Sequence, residues 1–219
     1  MLGAGAALWL ALLPVGGEIQ VVLVVMGAAM ARIVFDLDPD EGYDFADLKD
    51  AAREIRDVLA AIELEGFPLL TGGKGIHVIV PIERRNSWDE VKAFAKGLAT
   101  KLAEADPDRY VAQASKAKRK GRIFIDWLRN GRGATSIASF SARARAGAPV
   151  AMPLRWEELG KVASGHAFDI RNAPARLKRL KSHPWAGIDD TAHSLEGLLE
   201  MVSADEQERG LAHEALDLV

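Results

Sequence analysis

The chain has 219 residues, 49% hydrophobic and 27% charged, enough apolar material for one large domain with a sizeable core. It contains no cysteine, which excludes disulfides, thiolate metal centres and cysteine nucleophiles, and which suits a reducing compartment. A net charge of −3 does not mark the whole chain as a nucleic-acid binder, but the charge is unevenly placed: between Ser115 and Arg145 nine basic residues stand against one acid, Asp126, and the last thirty residues lean acidic.

Residues 1–31 are rich in Gly, Ala, Val and Leu, with Glu18 the one charge. No basic region precedes Leu8, as a signal peptide requires. Pro14, Gly16, Gly17, Glu18 and Gln20 interrupt the run, so it falls short of the roughly 20 continuous apolar residues of a membrane helix. No membrane role is expected. A buried strand, or a start unrelated to the rest of the chain, are the two readings left open.

Residues 33–35, Ile-Val-Phe, predict a buried strand that runs directly into Asp36, Asp38 and Asp40. Phe45, Leu48, Ala52, Ile55, Leu59 and Ile62 then recur at three- and four-residue steps, the pattern of an amphipathic helix, with Asp44 as N-cap and Gly66 as the expected stop. "FPLL" and "IHVIVPI" read as two strands joined by "TGGKG". Ser87 and Glu90 form a capping-box signature for a second helix striped by Val91, Phe94, Leu98 and Leu102. "RIFIDWL" alternates, with Ile123, Ile125 and Trp127 on one face and Phe124, Asp126 and Leu128 on the other. "ATSIASFS" is a candidate for a further short strand, "LRWEELG" for a short helix, and residues 193–202 for a final polar helix. Strand, helix, hairpin, helix, hairpin is an α+β order: one sheet with helices on one face.

Three stretches carry chemistry. Asp36 and Asp38, two apart on a strand, point to the same side at a separation of roughly 6.5–7 Å. Carboxylates that close repel each other, and a hard divalent cation such as Mg²⁺ or Mn²⁺ relieves the repulsion. A solvated turn is the competing reading, and it suits Asp40 and Glu41 better. In "TGGKGIH" the glycines let backbone N–H groups approach an anion, Lys74 adds a point charge, and His77 stands beside them as a phosphate donor. It is not a Walker A loop, because a strand rather than a helix follows. Asp126, the lone acid among cations, needs a partner: Arg119, Arg122 or a metal ion. Together these features are the outfit for two-metal phosphoryl transfer.

"FDLDPDEG", "TGGKGIHV", "SKAKRKGRIFIDWLRNGRGAT" and "FSARARAGAPVAMPLRWEEL" closely resemble the primase-polymerase domain of bacterial DNA ligase D, a member of the archaeo-eukaryotic primase superfamily. The resemblance spans residues 32–185. It implies a catalytic core with an RRM-like, mostly antiparallel sheet and helices packed on it, flanked by the atypical segment 1–31 and an acidic tail, 186–219. It implies metal-binding, catalytic roles for Asp36, Asp38 and Asp126, and triphosphate contacts for Thr71, Gly73, Lys74, His77, Arg119, Arg129 and Arg143. The family has serine where Thr71 stands, and the hydroxyl is retained. Implied with it are Mn²⁺ or Mg²⁺ as cofactor, DNA ends with a gap or overhang and NTP or dNTP as substrates, Ku and an ATP-dependent DNA ligase as partners, and a cytoplasmic, nucleoid-associated location. The expected function is addition of nucleotides to DNA ends in non-homologous end joining. The alternative is a truncated, non-catalytic remnant that binds nucleotide or DNA, because the family's amino-terminal part is expected before Arg32 and residues 1–31 show no resemblance to it. The opening Asp-x-Asp also resembles haloacid-dehalogenase phosphatases, but Pro39-Asp40 stands where that motif continues with Gly-Thr.

Overall fold

The structure is a computed structural model that describes residues 8–15, 18–25, 32–188 and 190–202. Strands β1 (Leu8–Val15) and β2 (Glu18–Val25) pair antiparallel as a two-stranded sheet of their own, Leu8 opposite Val25. The main body is a six-stranded sheet in the order β6-β7-β3-β5-β4-β8, with β3 at Arg32–Pro39, β4 at Phe67–Leu70, β5 at Ile76–Pro81, β6 at Tyr110–Val111, β7 at Ile123–Asp126 and β8 at Met152–Pro153. Its neighbours are antiparallel except β6 and β7. The α+β architecture expected from the element order is therefore present, and the strand that carries Ile33–Phe35 also carries Asp36 and Asp38, as their spacing suggested, and ends at Pro39, before Asp40.

Alternation of side chains divides the sheet. Ile33, Phe35 and Leu37 of β3, Ile76, Val78 and Val80 of β5, and Ile123 and Ile125 of β7 point to one face and are buried. There they meet the apolar stripes of α1 (Phe45–Ala61) and α2 (Trp88–Ala105), whose Leu48, Ile55, Leu59, Val91, Phe94 and Leu98 complete the main core. The opposite face is half covered. Val34, Phe67, Leu69 and Ile79 pack under Trp185 and Ile188, and the Trp185 indole N–H donates to the Pro68 carbonyl at 3.1 Å. The rest of that face, at the hairpin end, carries polar groups and is open.

Helix α1 begins as expected, with the Asp44 carboxylate accepting from the Ala46 N–H at 3.0 Å. It stops five residues before Gly66. Glu63 takes a left-handed conformation, φ 60°, the Glu63 N–H donates to Ala60 O, and the Leu64 N–H donates back to Leu59 O at 2.9 Å. That is a Schellman ending with glutamate where glycine usually stands, locked by burial of Leu59 and Leu64. Gly66 serves a different need: a Cβ there would stand 2.8 Å from Val78 Cγ1. Since a side chain in the left-handed region costs about 1 kcal/mol, Glu63→Gly is expected to stabilise the fold by about that amount, read as a shift in the urea midpoint. Helix α2 carries the full capping box of Ser87 and Glu90.

Several later expectations change. "ATSIASFS" forms no strand: Ile137 packs on the second cluster and Phe140 turns the chain at φ 65°. β7 stops at Asp126, and Leu128–Asn130 forms a 3₁₀ turn, although Trp127 still packs on the main core as its spacing suggested. Where β7 ends, Asn130 takes over. Its side chain accepts from the Val34 N–H at 2.8 Å and donates to the Val34 carbonyl at 2.9 Å, so one buried amide imitates a strand against the edge of β3. Among residues 193–202 the helical ones are 198–202; His193 instead bridges Ile82, and Leu195 is buried in the main core. The helix α3 (Trp156–Leu159) is found where "LRWEELG" predicts it, and α4 (Ala173–Arg179), which the sequence did not announce, follows. Among the described residues no helix is long and apolar enough to cross a membrane.

Candidate active site

Sheet pairing builds the centre of the open face. Asp36 of β3 lies directly opposite Asp126 of β7 on one side and His77 of β5 on the other, so the three form a row across neighbouring strands. Asp38 lies two residues farther along β3 and, by alternation, on the same face. The strands are held in this register by the helix-packed core on the other face, which makes the acids' alignment a by-product of burying Phe35, Leu37 and Ile125.

Each carboxylate is answered by a cation. Arg129 Nε lies 3.3 Å from Asp36 Oδ2 and 3.1 Å from Asp126 Oδ2, bridging the facing pair. His77 Nε2 is 3.3 Å from Asp36 Oδ1. Asp38 is met by Lys74, at 3.3 Å, and by Arg119, at 3.5 Å, while Lys74 also donates to the Pro39 carbonyl. The partners anticipated for Asp126 were Arg119, Arg122 or a metal ion, and the structure corrects the choice of arginine. Arg119 stacks its guanidinium 3.7 Å from the Phe124 ring centre, two residues up the strand and so beside Asp38, leaving Arg129 to reach Asp126. Asp40, read as a turn residue, accepts the Gly121 N–H at 2.7 Å and so ties the basic loop to the end of β3.

The facing acids are electrostatically unequal. Burial pushes the Asp126 carboxyl above its ordinary value, against the pull of Arg129 and of the Leu128 N–H, and the Asp36 charge adds to the rise. Burial pushes Asp36 the same way, but the His77 hydrogen bond and charge and the Arg129 charge outweigh it and bring Asp36 below the ordinary value. Facing titratable groups driven in opposite directions, one of them lining a cleft, are a mark of a chemical site.

Above the row opens a cleft of about 840 Å³. Asp36, Asp38, Lys74, His77, Arg129 and Arg143 all line it, with the "TGGKG" hairpin as one rim. Thr71 and Gly73 are there too, but the Thr71 hydroxyl is engaged within the hairpin: it donates to Gly75 O at 3.0 Å and accepts from the Gly73 N–H at 3.2 Å. Its role in this structure is to shape the turn. Arg143 donates to the Thr71 carbonyl at 3.1 Å, and burial, then the neighbouring Arg145, push its guanidinium below its ordinary value against the pull of the Asp36 charge. Arg119 and Asp126 do not line the cleft; Asp126 sits behind Arg129 and Arg119 to one side.

Sequence reasoning missed the opposite rim. Arg145 and His166 face the cleft, and residues 164–166 strap the hairpin from outside. Gly165 accepts the Gly72 N–H at 3.0 Å, and a Cβ on Gly165 would stand 2.6 Å from Gly73 O. Arg145 carried a detectable signal, a second arginine two residues from Arg143 in the sequence. The strap carried none, because its use depends on a close approach between segments some ninety residues apart in the chain. Gly165→Val is therefore expected to displace the hairpin and weaken binding of a triphosphate by roughly tenfold or more, about 1.4 kcal/mol, checked by isothermal titration with a nonhydrolysable nucleotide.

The donor set of Asp36, Asp38 and Asp126, hard carboxylate oxygens on one face, fits Mg²⁺ or Mn²⁺ by its chemistry. As the side chains stand, no group of three or more His, Asp or Glu among the described residues is gathered closely enough to hold an ion. The compensating charges are Lys74, Arg119 and Arg129, each within 3.5 Å of a carboxylate oxygen. A divalent ion would replace charge already supplied there, so ligation requires these side chains to move and the strands to stay.

The sequence profile of one family, described as "LigD, primase-polymerase domain", matches residues 15–185, beginning inside the segment in which the sequence had shown no resemblance. Among curated proteins, the multifunctional non-homologous end joining protein LigD of Pseudomonas aeruginosa is 38% identical over 169 residues, covering 77% of this chain and 20% of that protein. The multifunctional non-homologous end joining DNA repair protein LigD of Mycobacterium tuberculosis is 41% identical over 128 residues, 58% of this chain and 17% of that protein. The chain thus spans about a fifth of the length of these relatives. Among solved structures, the polymerase domain of Mycobacterium tuberculosis ligase D in complex with DNA superposes with a TM-score of 0.68 at 33% identity, over 84% of this chain and 62% of that one.

Proposed function

The chain belongs to the LigD primase-polymerase domain family, and from that premise we propose that it is a metal-dependent nucleotidyltransferase that extends the 3′-hydroxyl of a DNA end in non-homologous end joining. The observation that supports this most is the row Asp126–Asp36–His77 across three neighbouring strands, with Asp38 beside it, of which Asp36, Asp38 and His77 line a cleft rimmed by a glycine-lysine hairpin and by arginines. A phosphatase reading would need an aspartate free to attack phosphorus. Here both carboxylates of the Asp-x-Asp are held in ion pairs on a continuous strand.

In this reading Asp36, Asp38 and Asp126 hold Mn²⁺ or Mg²⁺, which when bound activates the attacking oxygen and neutralises charge on the leaving one. Lys74, released from Pro39 and Asp38, and Arg143 bind the triphosphate oxygens. Arg129 turns from the carboxylates to the same phosphates. His77 Nε2, now directed at Asp36, fixes that carboxylate or turns to donate to phosphate. The primer 3′-oxygen attacks the α-phosphorus, its proton passes to Asp126 Oδ2, and pyrophosphate departs. Asp126 suits that task by position, since it stands opposite Asp36 on the neighbouring strand. No covalent intermediate is needed, since positioning and charge carry the catalysis.

A primer-extension assay with Mn²⁺ and labelled nucleotide tests the reading. Extension is the expected result. Nucleotide or DNA binding without extension would favour the alternative, a remnant that binds but does not catalyse. Lys74→Ala is expected to weaken triphosphate binding by about 1.5–3 kcal/mol, the range for a hydrogen bond to a charged group, and unchanged affinity for a nonhydrolysable analogue would remove the hairpin from the site. End joining also calls for an end-binding protein such as Ku and a DNA ligase. Both are proposed partners, and co-purification with purified Ku checks the first.

A further inference from the structure

A second recess, of about 510 Å³, lies between α3 and α4, on the β8 side of the sheet. Its walls carry four cations, Arg155, Arg176, Arg179 and Lys181, and one anion, Glu158. The Glu158 charge is already engaged. Arg176 donates to its two oxygens at 2.7 and 3.1 Å, and the Arg155 N–H donates to Oε2 at 2.9 Å. Arg155 also reaches the Ser182 hydroxyl at 3.1 Å. The side chains of Arg179 and Lys181 make no hydrogen bond or ion pair among the described residues, and Arg176 Nε is buried without an acceptor. Like charges gathered in a concave wall raise the local potential until an anion joins them.

The recess adjoins the catalytic cleft. Phe168, whose ring lies 5.0 Å from the Arg176 guanidinium, lines the recess, while His166 and Asp169 on either side of it in the chain line the cleft. The two sites stand back to back across one extended segment. A phosphate oxyanion is the chemistry that suits the recess: arginine offers planar forks to phosphate and lysine a point charge.

We propose that this recess holds a backbone phosphate of the nucleic acid whose end lies in the cleft; the inference rests on the polymerase reading and adds a second anchoring point to it. Free phosphate or free nucleotide presents the same oxyanion, and the experiment separates these sources. Arg179→Gln/Lys181→Gln is compared with the wild type by fluorescence anisotropy on a labelled duplex with a short overhang, across about 50–200 mM NaCl. The expected result is roughly tenfold weaker binding at the lowest salt and a plot of log K against log salt shallower by about two, one per phosphate-facing cation, with unchanged affinity for a nonhydrolysable triphosphate. The same charge change at Arg84 and Arg85, exposed beyond the far end of β5, is expected to move the slope by less than half as much. A variant that binds DNA as the wild type does, or an equal loss from the Arg84/Arg85 pair, overturns the proposal. So does a loss confined to inorganic phosphate or triphosphate, which would make the recess a small-anion site. Failure of the polymerase reading looks different: the recess variant loses DNA affinity as expected, yet the wild type adds no nucleotide.

Discussion

Asp126→Asn is expected to abolish nucleotide addition while leaving the fold as stable as the wild type or more so. On the proposed mechanism, the loss follows from removing a carboxylate that would both ligate metal and accept the primer's proton. Several kcal/mol of charge stabilisation are at stake, and about 4 kcal/mol corresponds to roughly a thousandfold in rate. The stability effect has the opposite sign because burial disfavours the Asp126 charge. Its folded-state pKa lies above its unfolded value near 3.8, with burial as the main cause. A raised acid binds more protons folded than unfolded, so the wild type loses stability as pH rises from about 3.8 through the folded value. Asparagine has no such loss, and above that window the variant should melt at an equal or higher temperature. Asp36→Asn should be as inactive but gain nothing in stability, because Asp36 is held below its ordinary value by His77 and Arg129 despite its burial. Extension rates with Mn²⁺ and thermal melts at pH 4 and pH 7 check both halves. Residual extension within tenfold of wild type in either variant would remove the three carboxylates from the chemistry.

Asn130→Leu is expected to cost about 2–5 kcal/mol of stability. Leucine matches asparagine in size but strips partners from the Val34 N–H and C=O, both of which the Asn130 amide serves, and from the Trp127 carbonyl, which accepts from Asn130 Nδ2 at 2.8 Å. Each buried backbone group left without a partner costs about 1–3 kcal/mol. Asn130→Asp should be nearly as harmful, since it keeps the acceptor, loses the donor and places a charge where 2% of the residue is exposed. Urea unfolding gives the comparison. A change below about 0.5 kcal/mol would show that water replaces the amide freely.

How much of this was legible in the sequence depends on the range over which each feature is decided. The Asp36–Asp38 spacing, the "TGGKG" hairpin and the capped helices are set by residues a few positions apart, and all were readable. Ion pairs were not. Arg119 and Asp126 are seven residues apart and looked like partners, yet the stacking of Arg119 on Phe124 sends its charge to Asp38, eighty-one residues away. "ATSIASFS" has the alternation of a strand, but a strand needs an edge to pair with, and Phe140 turns the chain before one is reached. The helix α1 terminus was misplaced because a glutamate adopts the conformation that glycine advertises. The Gly165 strap and the Asn130 clamp are contacts between distant segments, and no periodicity reports them.

The strand pairing around β3 has a consequence for how this protein can go wrong. Shifting β3 by one position against β5 and β7 would drive Asp36 and Asp38 in among the aliphatic side chains of the two long helices and turn Phe35 and Leu37 out to water. A misassembled molecule of that kind would lose its cohesion and its chemistry in one step, so inactive yet well-folded copies should be scarce. Evolutionary drift among the aliphatic residues is tolerable so long as the zipper closes in the same notch, and the reactive geometry is then inherited without separate upkeep.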